Sequence, residues 1–287
     1  MTLQQLCIEG TDKLKQAGIA EAELDARYLL LEAYGLTPND FLLQRGDLLD
    51  RPLDMAVYRE MVAKRSRRIP LQYILGTQNF MGLEFQVDER VLIPRQDTED
   101  LVELILKEHP EQHIRILDLC TGSGCIAVAL AVLGGYDQVD AADISADALL
   151  VAEDNARRLG AADRVRCLRS DLYQDLKETS CYDFIVSNPP YIPTRVICGL
   201  QPEVRDFEPM LALDGSEDGL HFYRKLAKES GRYLRPGGKL YLEIGYDQAE
   251  PVCALLREQG YTKIQVIQDT PGLDRIVTAN YIGGFHV

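Results

Sequence analysis

An apolar run, Ile114-Arg115-Ile116-Leu117, leads into the loop Asp118-Leu119-Cys120-Thr121-Gly122-Ser123-Gly124. The loop opens a helical run, Ile126-Ala127-Val128-Ala129-Leu130-Ala131. Strand, glycine turn and helix in direct succession begin a βαβ unit, the context that a nucleotide-binding fingerprint requires. Glycine supplies positive φ and lets the backbone approach a ligand closely. A second strand pattern, Gln138-Val139-Asp140-Ala141-Ala142-Asp143, ends in an acid. It lies roughly 20 residues beyond the loop, where such folds hold ribose hydroxyls. The G-x-G-x-x-G spacing of dinucleotide oxidoreductases does not occur here, and the loop starts on an acid, Asp118.

A later apolar run, Tyr182-Asp183-Phe184-Ile185-Val186-Ser187, reads as a buried strand and is followed directly by Asn188-Pro189-Pro190-Tyr191. Two prolines after a strand fix the backbone and stop further pairing. They hold an asparagine amide and a free carbonyl at the carboxyl edge of a sheet, where open α/β folds bind ligands. Asparagine donates and accepts hydrogen bonds without titrating, which suits it to orienting a planar –NH2 rather than to acid–base work. Taken alone, the tetrapeptide fits a proline-rich turn equally well. An acidic glycine loop, an acid after the second strand and Asn-Pro-Pro-Tyr after the fourth resemble the order of an S-adenosylmethionine-dependent methyltransferase.

The resemblance extends from Ile69 to the C-terminus. Its blocks are Pro70-Leu71-Gln72-Tyr73-Ile74-Leu75-Gly76, Phe80-Met81-Gly82-Leu83 and Val91-Leu92-Ile93-Pro94-Arg95-Gln96-Asp97-Thr98-Glu99. Beyond the tetrapeptide come Glu203-Val204-Arg205-Asp206-Phe207-Glu208-Pro209, Asp218-Gly219-Leu220-His221-Phe222-Tyr223-Arg224, Leu242-Glu243-Ile244-Gly245 and Gly272-Leu273-Asp274-Arg275. In this order the chain resembles the protein-(glutamine-N5) methyltransferases of peptide chain release factors, the HemK/PrmC family. The chain departs from that pattern at Gln96, where the family usually has proline, and at Cys120, where it usually has glycine.

That resemblance implies a Rossmann-like class I methyltransferase sheet, S-adenosylmethionine as methyl donor and the glutamine of a release factor Gly-Gly-Gln motif as acceptor. Asn188, Pro189, Pro190 and Tyr191 are then the catalytic candidates. The Asn188 side-chain oxygen and the Pro189 carbonyl accept the substrate N–H groups, and Tyr191 packs on the amide. The cofactor candidates are Asp118, Cys120, Thr121, Gly122, Ser123 and Gly124 in the loop, then Asp143, Asp171, Leu172 and Asn188. Asp118 is placed by its charge opposite the cationic methionine end of the donor, Asp143 on the ribose hydroxyls, and Asp171 with Leu172 at the adenine. The resemblance adds Thr98 and Arg95 at the amino-acid end. Two local readings stand beside these: Asp118 as a strand-end acid bonding its own loop, and Asp171 as a helix cap.

Net charge is −14 over 287 residues, with 46% apolar content. An acidic chain of this size holds a packed α/β core and lacks the basic face of a protein that binds a nucleic-acid backbone. One basic run, Lys64-Arg65-Ser66-Arg67-Arg68, reads as a solvated helix end, or as a contact for an acidic or RNA-bearing partner. Seven scattered cysteines without a C-x-x-C pair fit reduced thiols and no zinc site. His109 and His113 read as surface residues, with no metal expected. No leader or membrane-spanning pattern occurs, so a cytoplasmic location is expected.

Residues 1–72 read as a small helical bundle that docks the protein substrate, with one stripe of Leu3, Leu6, Ile8 and Leu14. Further helices are expected at 22–34, from Thr37-Pro38, and at 55–68. Residues 73–96 read as a linker carrying a β-hairpin about Gly82. Residues 97–287 read as the methyltransferase domain, a mostly parallel sheet closed by an antiparallel C-terminal hairpin. Three rival functions remain open at this level. They are an adenine N6-methyltransferase acting on nucleic acid, whose –NH2 the same tetrapeptide suits, a glutamine methyltransferase of a ribosomal protein, and a non-catalytic cofactor-binding module.

Overall fold

The computed structural model describes residues 1–111, 113–177 and 181–283. The chain forms two compact units, residues 1–77 with 201–207, and residues 78–200 with 208 onward.

In the first unit, helices Leu3–Gln16, Ala22–Tyr34, Pro38–Gln44 and Pro52–Ser66 are followed by the short helix Leu71–Leu75. Thr2 and Thr37 close capping boxes with Gln5 and Asp40, and Gly35 ends the second helix in the left-handed conformation. Both caps satisfy terminal N–H groups that the helix itself leaves open. Leu6, Leu14, Leu29, Leu30 and Val62 meet in the core.

Two expectations fail here. Ile8 is 52% exposed, because it lies two residues from Leu6 and so on another helix face. Cys7, Gly10 and Thr11 complete the buried face instead. The basic run is a solvated helix end only in part: Arg67 and Lys64 reach solvent, but Arg65 does not face outward for a partner. The Arg65 side chain is 9% exposed and pairs with Asp25 at 2.7 Å and Glu203 at 2.9 Å. Arg68 takes the second oxygen of Glu203 at 2.7 Å. A guanidinium buried between two carboxylates ties the 201–207 segment to the helices.

The second unit begins with a two-stranded hairpin, β1 (Thr77–Phe80) and β2 (Leu83–Gln86). Met81 and Gly82 both take positive φ at its turn, as a two-residue hairpin turn requires. Seven strands form the main sheet: β3 (Arg115–Leu119), β4 (Gln138–Asp143), β5 (Val165–Arg169), β6 (Tyr182–Ser187), β7 (Leu234–Glu243), β8 (Thr262–Gln268) and β9 (Asp274–Asn280). Their order is β5-β4-β3-β6-β7-β9-β8. The first five run parallel, and β9 pairs antiparallel with both β7 and β8. This is the class I methyltransferase sheet with its antiparallel closing pair.

Alternate residues of each strand serve opposite faces. Ile116, Val139, Phe184 and Tyr241 pack with helices Gln96–Glu108, Cys125–Leu133 and Ala146–Arg158. Leu117, Ile185, Leu240 and Val277 pack with helices His221–Glu229 and Ala249–Glu258 on the other face. Burial on both faces explains why these strands read as continuous apolar runs. His109 departs from its surface expectation: its ring stacks on Phe184 with centroids 4.9 Å apart, and Nε2 lies 2.8 Å from the Tyr241 hydroxyl. It stands just past the end of its helix, where the chain turns back over the sheet.

Candidate active site

Chain order runs outward from β3 to β4 to β5, then crosses to β6 on the other side of β3. The carboxyl ends of β3 and β6 therefore flank the reversal of strand order, where open α/β sheets bind ligands. Leu119 is in register with Ser187, and the Ser187 hydroxyl donates to the Leu119 carbonyl at 2.7 Å. That bond pins the glycine loop and Asn188 side by side.

Within the loop, Cys120, Gly122 and Gly124 have φ of 61°, 54° and 78°. Cys120 thus adopts a left-handed conformation that glycine adopts more readily, at a cost of about 1–2 kcal/mol. The Gly124 position leaves a Cβ only 3.0 Å from the Ala152 Cβ, so loop and helix meet too closely for a side chain. A Cβ on Gly122, by contrast, would project into open space. Asp143 accepts from Gly122 N–H and Ser145 N–H, each at 2.9 Å. Burial raises its carboxyl above the ordinary range, and those amides oppose the shift. Asn155, fully buried, donates to the carbonyls of Ser123 and Gln86, tying the loop to the hairpin.

A cavity at this edge is lined by Cys120, Gly122, Asp143, Asp171, Leu172, Asn188 and Pro190 among the sequence candidates. Leu172 sits at φ 50°, and its carbonyl accepts from the buried Ser170 hydroxyl. The cavity also takes Val91, Leu92, Ile144, Phe222, His221 and Lys225, none of which the sequence reading had singled out for the site. Lys225 Nζ stands 3.8 Å from Asp171. Acidic acceptors, a bare glycine and apolar walls suit a ligand that carries a diol, a cation and an aromatic ring. S-adenosylmethionine is such a ligand, so the residues present fit it.

The other candidates do not line this cavity. Asp118 is fully buried and accepts from the Thr121 hydroxyl at 2.6 Å, in keeping with the loop-bonding reading. Burial pushes its carboxyl up to about 7, against the Thr121 hydrogen bond. Thr121 and Ser123 are buried within the turn. Arg95 holds Glu208, whose side chain is almost wholly buried, at 2.6 Å.

Behind Asn188 lies a polar cluster. Asn188 Nδ2 donates to Thr98 Oγ1 at 3.2 Å, and that hydroxyl donates to Glu243 Oε2 at 2.6 Å. The Tyr191 hydroxyl is 3.5 Å from Glu243 Oε1. Glu243 is 1% exposed. Burial pushes its carboxyl up to about 7, opposed by the Thr98 hydrogen bond and the Arg275 charge. The sequence carried Glu243 only as one letter of a matching block.

A family model described as the PrmC N-terminal domain matches residues 5–76, and one described as the methyltransferase small domain matches residues 96–197. A release factor glutamine methyltransferase of Geobacter sulfurreducens is 44% identical over 267 residues, covering 92% of this chain and 91% of that protein. The protein of the same description from Caulobacter vibrioides is 40% identical, covering 96% of each chain. The chain belongs to the release factor glutamine methyltransferase family. The matches to family members extend over the helical first unit as well as the sheet-bearing unit. Solved structures agree on the fold. A methyltransferase from Pyrococcus furiosus matches with TM-score 0.53 at 19% identity, over 71% of this chain and 91% of its own. The hMettl16 catalytic domain in complex with a MAT2A 3'UTR hairpin matches with TM-score 0.58 at 19% identity, over 79% and 84%. Among the described residues of this family member, no group of three His, Cys, Asp or Glu side chains could hold a metal ion. No helix there is long and apolar enough to cross a membrane.

Proposed function

We propose that this protein transfers a methyl group from S-adenosylmethionine to the side-chain amide nitrogen of the glutamine in a release factor Gly-Gly-Gln motif, in the cytoplasm. The observation that carries the reading is Asn188. Its Nδ2 is committed to Thr98, while its Oδ1 makes no hydrogen bond among the described residues, and Asn188 lines the cavity.

S-adenosylmethionine supplies an electrophilic methyl on a sulfonium. An amide nitrogen is a weak nucleophile, because its lone pair is delocalised into the carbonyl. Asn188 Oδ1 and the Pro189 carbonyl each accept one N–H of the substrate amide. Held on both hydrogens, the nitrogen is presented at a fixed angle, and orientation of this kind is worth up to about 7–11 kcal/mol. As the N–CH3 bond forms the S–CH3 bond would break, releasing S-adenosylhomocysteine, and the surplus amide proton would then pass to water, so no strong base is required. Asp143 takes the ribose hydroxyls, and Leu172 with Phe222 bounds the adenine. The matches to curated release factor enzymes over nearly the whole chain support the choice of acceptor.

The test offers labelled S-adenosylmethionine to the purified protein with a release factor, its Gln-substituted variant and unmodified DNA. One methyl on the Gly-Gly-Gln glutamine, absent from the variant, is the expected result by mass spectrometry. Label in DNA alone would overturn it.

The helical first unit is proposed as the docking surface for the intact release factor. Leu42 and Leu43 are 60% and 84% exposed, with no core role to lose. Leu42→Ser with Leu43→Ser is expected to raise KM for the intact protein by about 10-fold, the scale of one lost apolar anchor. KM for a short Gly-Gly-Gln peptide should stay unchanged. Equal change for both substrates removes the docking role.

A further inference from the structure

The Thr98 hydroxyl carries one proton and has two partners. Glu243 Oε2, at 2.6 Å, has no proton to give when ionised, so Thr98 donates to it. The Thr98 oxygen can then only accept. Asn188 must therefore present Nδ2, its donor, at 3.2 Å. The amide is planar and two-sided, so this choice turns Oδ1 the other way. An Asn188 with the opposite orientation would set oxygen against oxygen at Thr98 and offer the cavity an NH2 group. That group cannot accept a substrate N–H.

We propose that Glu243 and Thr98 are positioning residues: Glu243 holds the Thr98 proton, and Thr98 thereby holds Asn188 with its oxygen as the acceptor for an amide N–H of the substrate. The relay rests on the amide-methylation reading above. Its components come from distant parts of the chain, the first turn of helix Gln96–Glu108, the end of β6 and the end of β7.

The surroundings of Glu243 support a directional role rather than a plain ion pair. Arg275 on β9 is close, yet its guanidinium bonds Asp97 at 3.2 Å, Asp269 at 3.1 Å and the Ile244 carbonyl. Among the described residues, the Glu243 carboxylate itself bonds only Thr98 and, at 3.5 Å, Tyr191. Tyr223, from helix His221–Glu229, donates to its backbone carbonyl at 2.8 Å. The Asp97 charge acts on Glu243 as well, and Cys125, from the helix after the glycine loop, is a further titratable neighbour. A carboxylate buried on hydroxyl partners is costly, and such groups gather at functional sites.

Protonation would release the direction of the relay. The folded carboxyl titrates at about 7, above its ordinary range, because burial disfavours the charge. The ionised form that fixes Thr98 therefore accumulates as pH rises through about 7. Turnover should rise over that interval and level off above it.

Four variants test the relay: Thr98→Val, Thr98→Ser, Glu243→Gln, and Thr98→Val combined with Asn188→Ala. Thr98→Val is expected to lower kcat by about 10- to 100-fold, the scale of a misoriented contact, with the Kd for S-adenosylmethionine changed less than threefold. Thr98→Ser keeps the hydroxyl and recovers most of the loss. Adding Thr98→Val to Asn188→Ala costs no more than about twofold, because residues acting as a unit are not additive. Glu243→Gln flattens the rise of kcat with pH. Full multiplication of the Thr98 and Asn188 losses, or an unchanged pH profile in Glu243→Gln, overturns the relay. A second readout needs no substrate: the Asn188 side-chain NH2 resonances, assigned by their loss in Asn188→Ala. They should move in Thr98→Val and Glu243→Gln and stay close to wild type in Thr98→Ser; unmoved resonances overturn the relay. A wild-type protein that methylates no amide overturns the functional reading instead, and the resonances still decide the relay.

Discussion

Asn188→Ala is expected to lower kcat for glutamine methylation by about 100- to 1,000-fold, the loss seen when one preorganised polar contact to a reacting group is removed. The Kd for S-adenosylmethionine should change by less than about threefold. The asymmetry follows from where the side chain spends its atoms. Nδ2 goes to Thr98, and Oδ1 is uncommitted among the described residues. The part of the cavity proposed to hold the cofactor is lined by other residues, among them Asp143, Ile144, Asp171 and Leu172. Alanine removes the acceptor and leaves those walls. Single-turnover kinetics with labelled donor separates the two constants, and isothermal titration measures cofactor binding directly. Equal losses in turnover and cofactor affinity would remove Asn188 from its place on the substrate. Asn188→Asp is a harsher change, since its carboxylate would face the Thr98 oxygen with no proton to donate.

The parts of this site that could be read from the chain are local ones. The glycine loop and the tetrapeptide are each a few residues long, and each follows a strand whose apolar run is unmistakable. The order of these segments was enough to name the sheet and the edge at which the candidate site lies, and the antiparallel end followed from two C-terminal strand patterns with no helix between them. Helix ends marked by Thr37-Pro38 and Gly35 were legible for the same reason, since a cap acts on its nearest neighbours. Ile8 was misjudged because a four-residue stripe says little about which neighbouring face is covered. Arg65 was misjudged because its partners Asp25 and Glu203 are 40 and 138 residues away. Glu243 lies 145 residues from Thr98, and nothing in its own segment separates a buried carboxylate from a solvated one at a strand end. Asp118 shows the reverse case. The sequence supplied both a ligand-facing and a loop-bonding role, and the fully buried carboxylate bonds Thr121.

Gly219→Ala is expected to cost about 2–5 kcal/mol, the sum of a left-handed alanine and an overpacked contact. The same change should lower kcat by about 100-fold, as misplacement of a reacting group by an ångström does. Gly219 has φ 75°. A Cβ there would stand 2.4 Å from the Tyr191 carbonyl oxygen and 2.6 Å from Gln248 Nε2. Those two atoms are bonded to each other at 2.9 Å, and Gln248 Oε1 accepts in turn from the Gly245 amide. Gly215 meets the same backbone from its other side, where a Cβ would be 2.8 Å from the Tyr191 Cα. The chain leaving the two prolines is thus clamped between two glycines and one glutamine, and Asn188 sits three residues upstream of the clamp. Any side chain at position 219 must push Tyr191, and the rigid prolines carry the displacement toward Asn188. Gly260→Ala supplies the control. Its φ is 78°, and no atom lies within 4 Å of the Cβ position. It should cost about 1–2 kcal/mol through backbone strain alone, with kcat intact. Denaturant titration and single-turnover rates on both variants separate strain from displacement. If the two variants lose stability alike and both keep kcat, the clamp does not position the site.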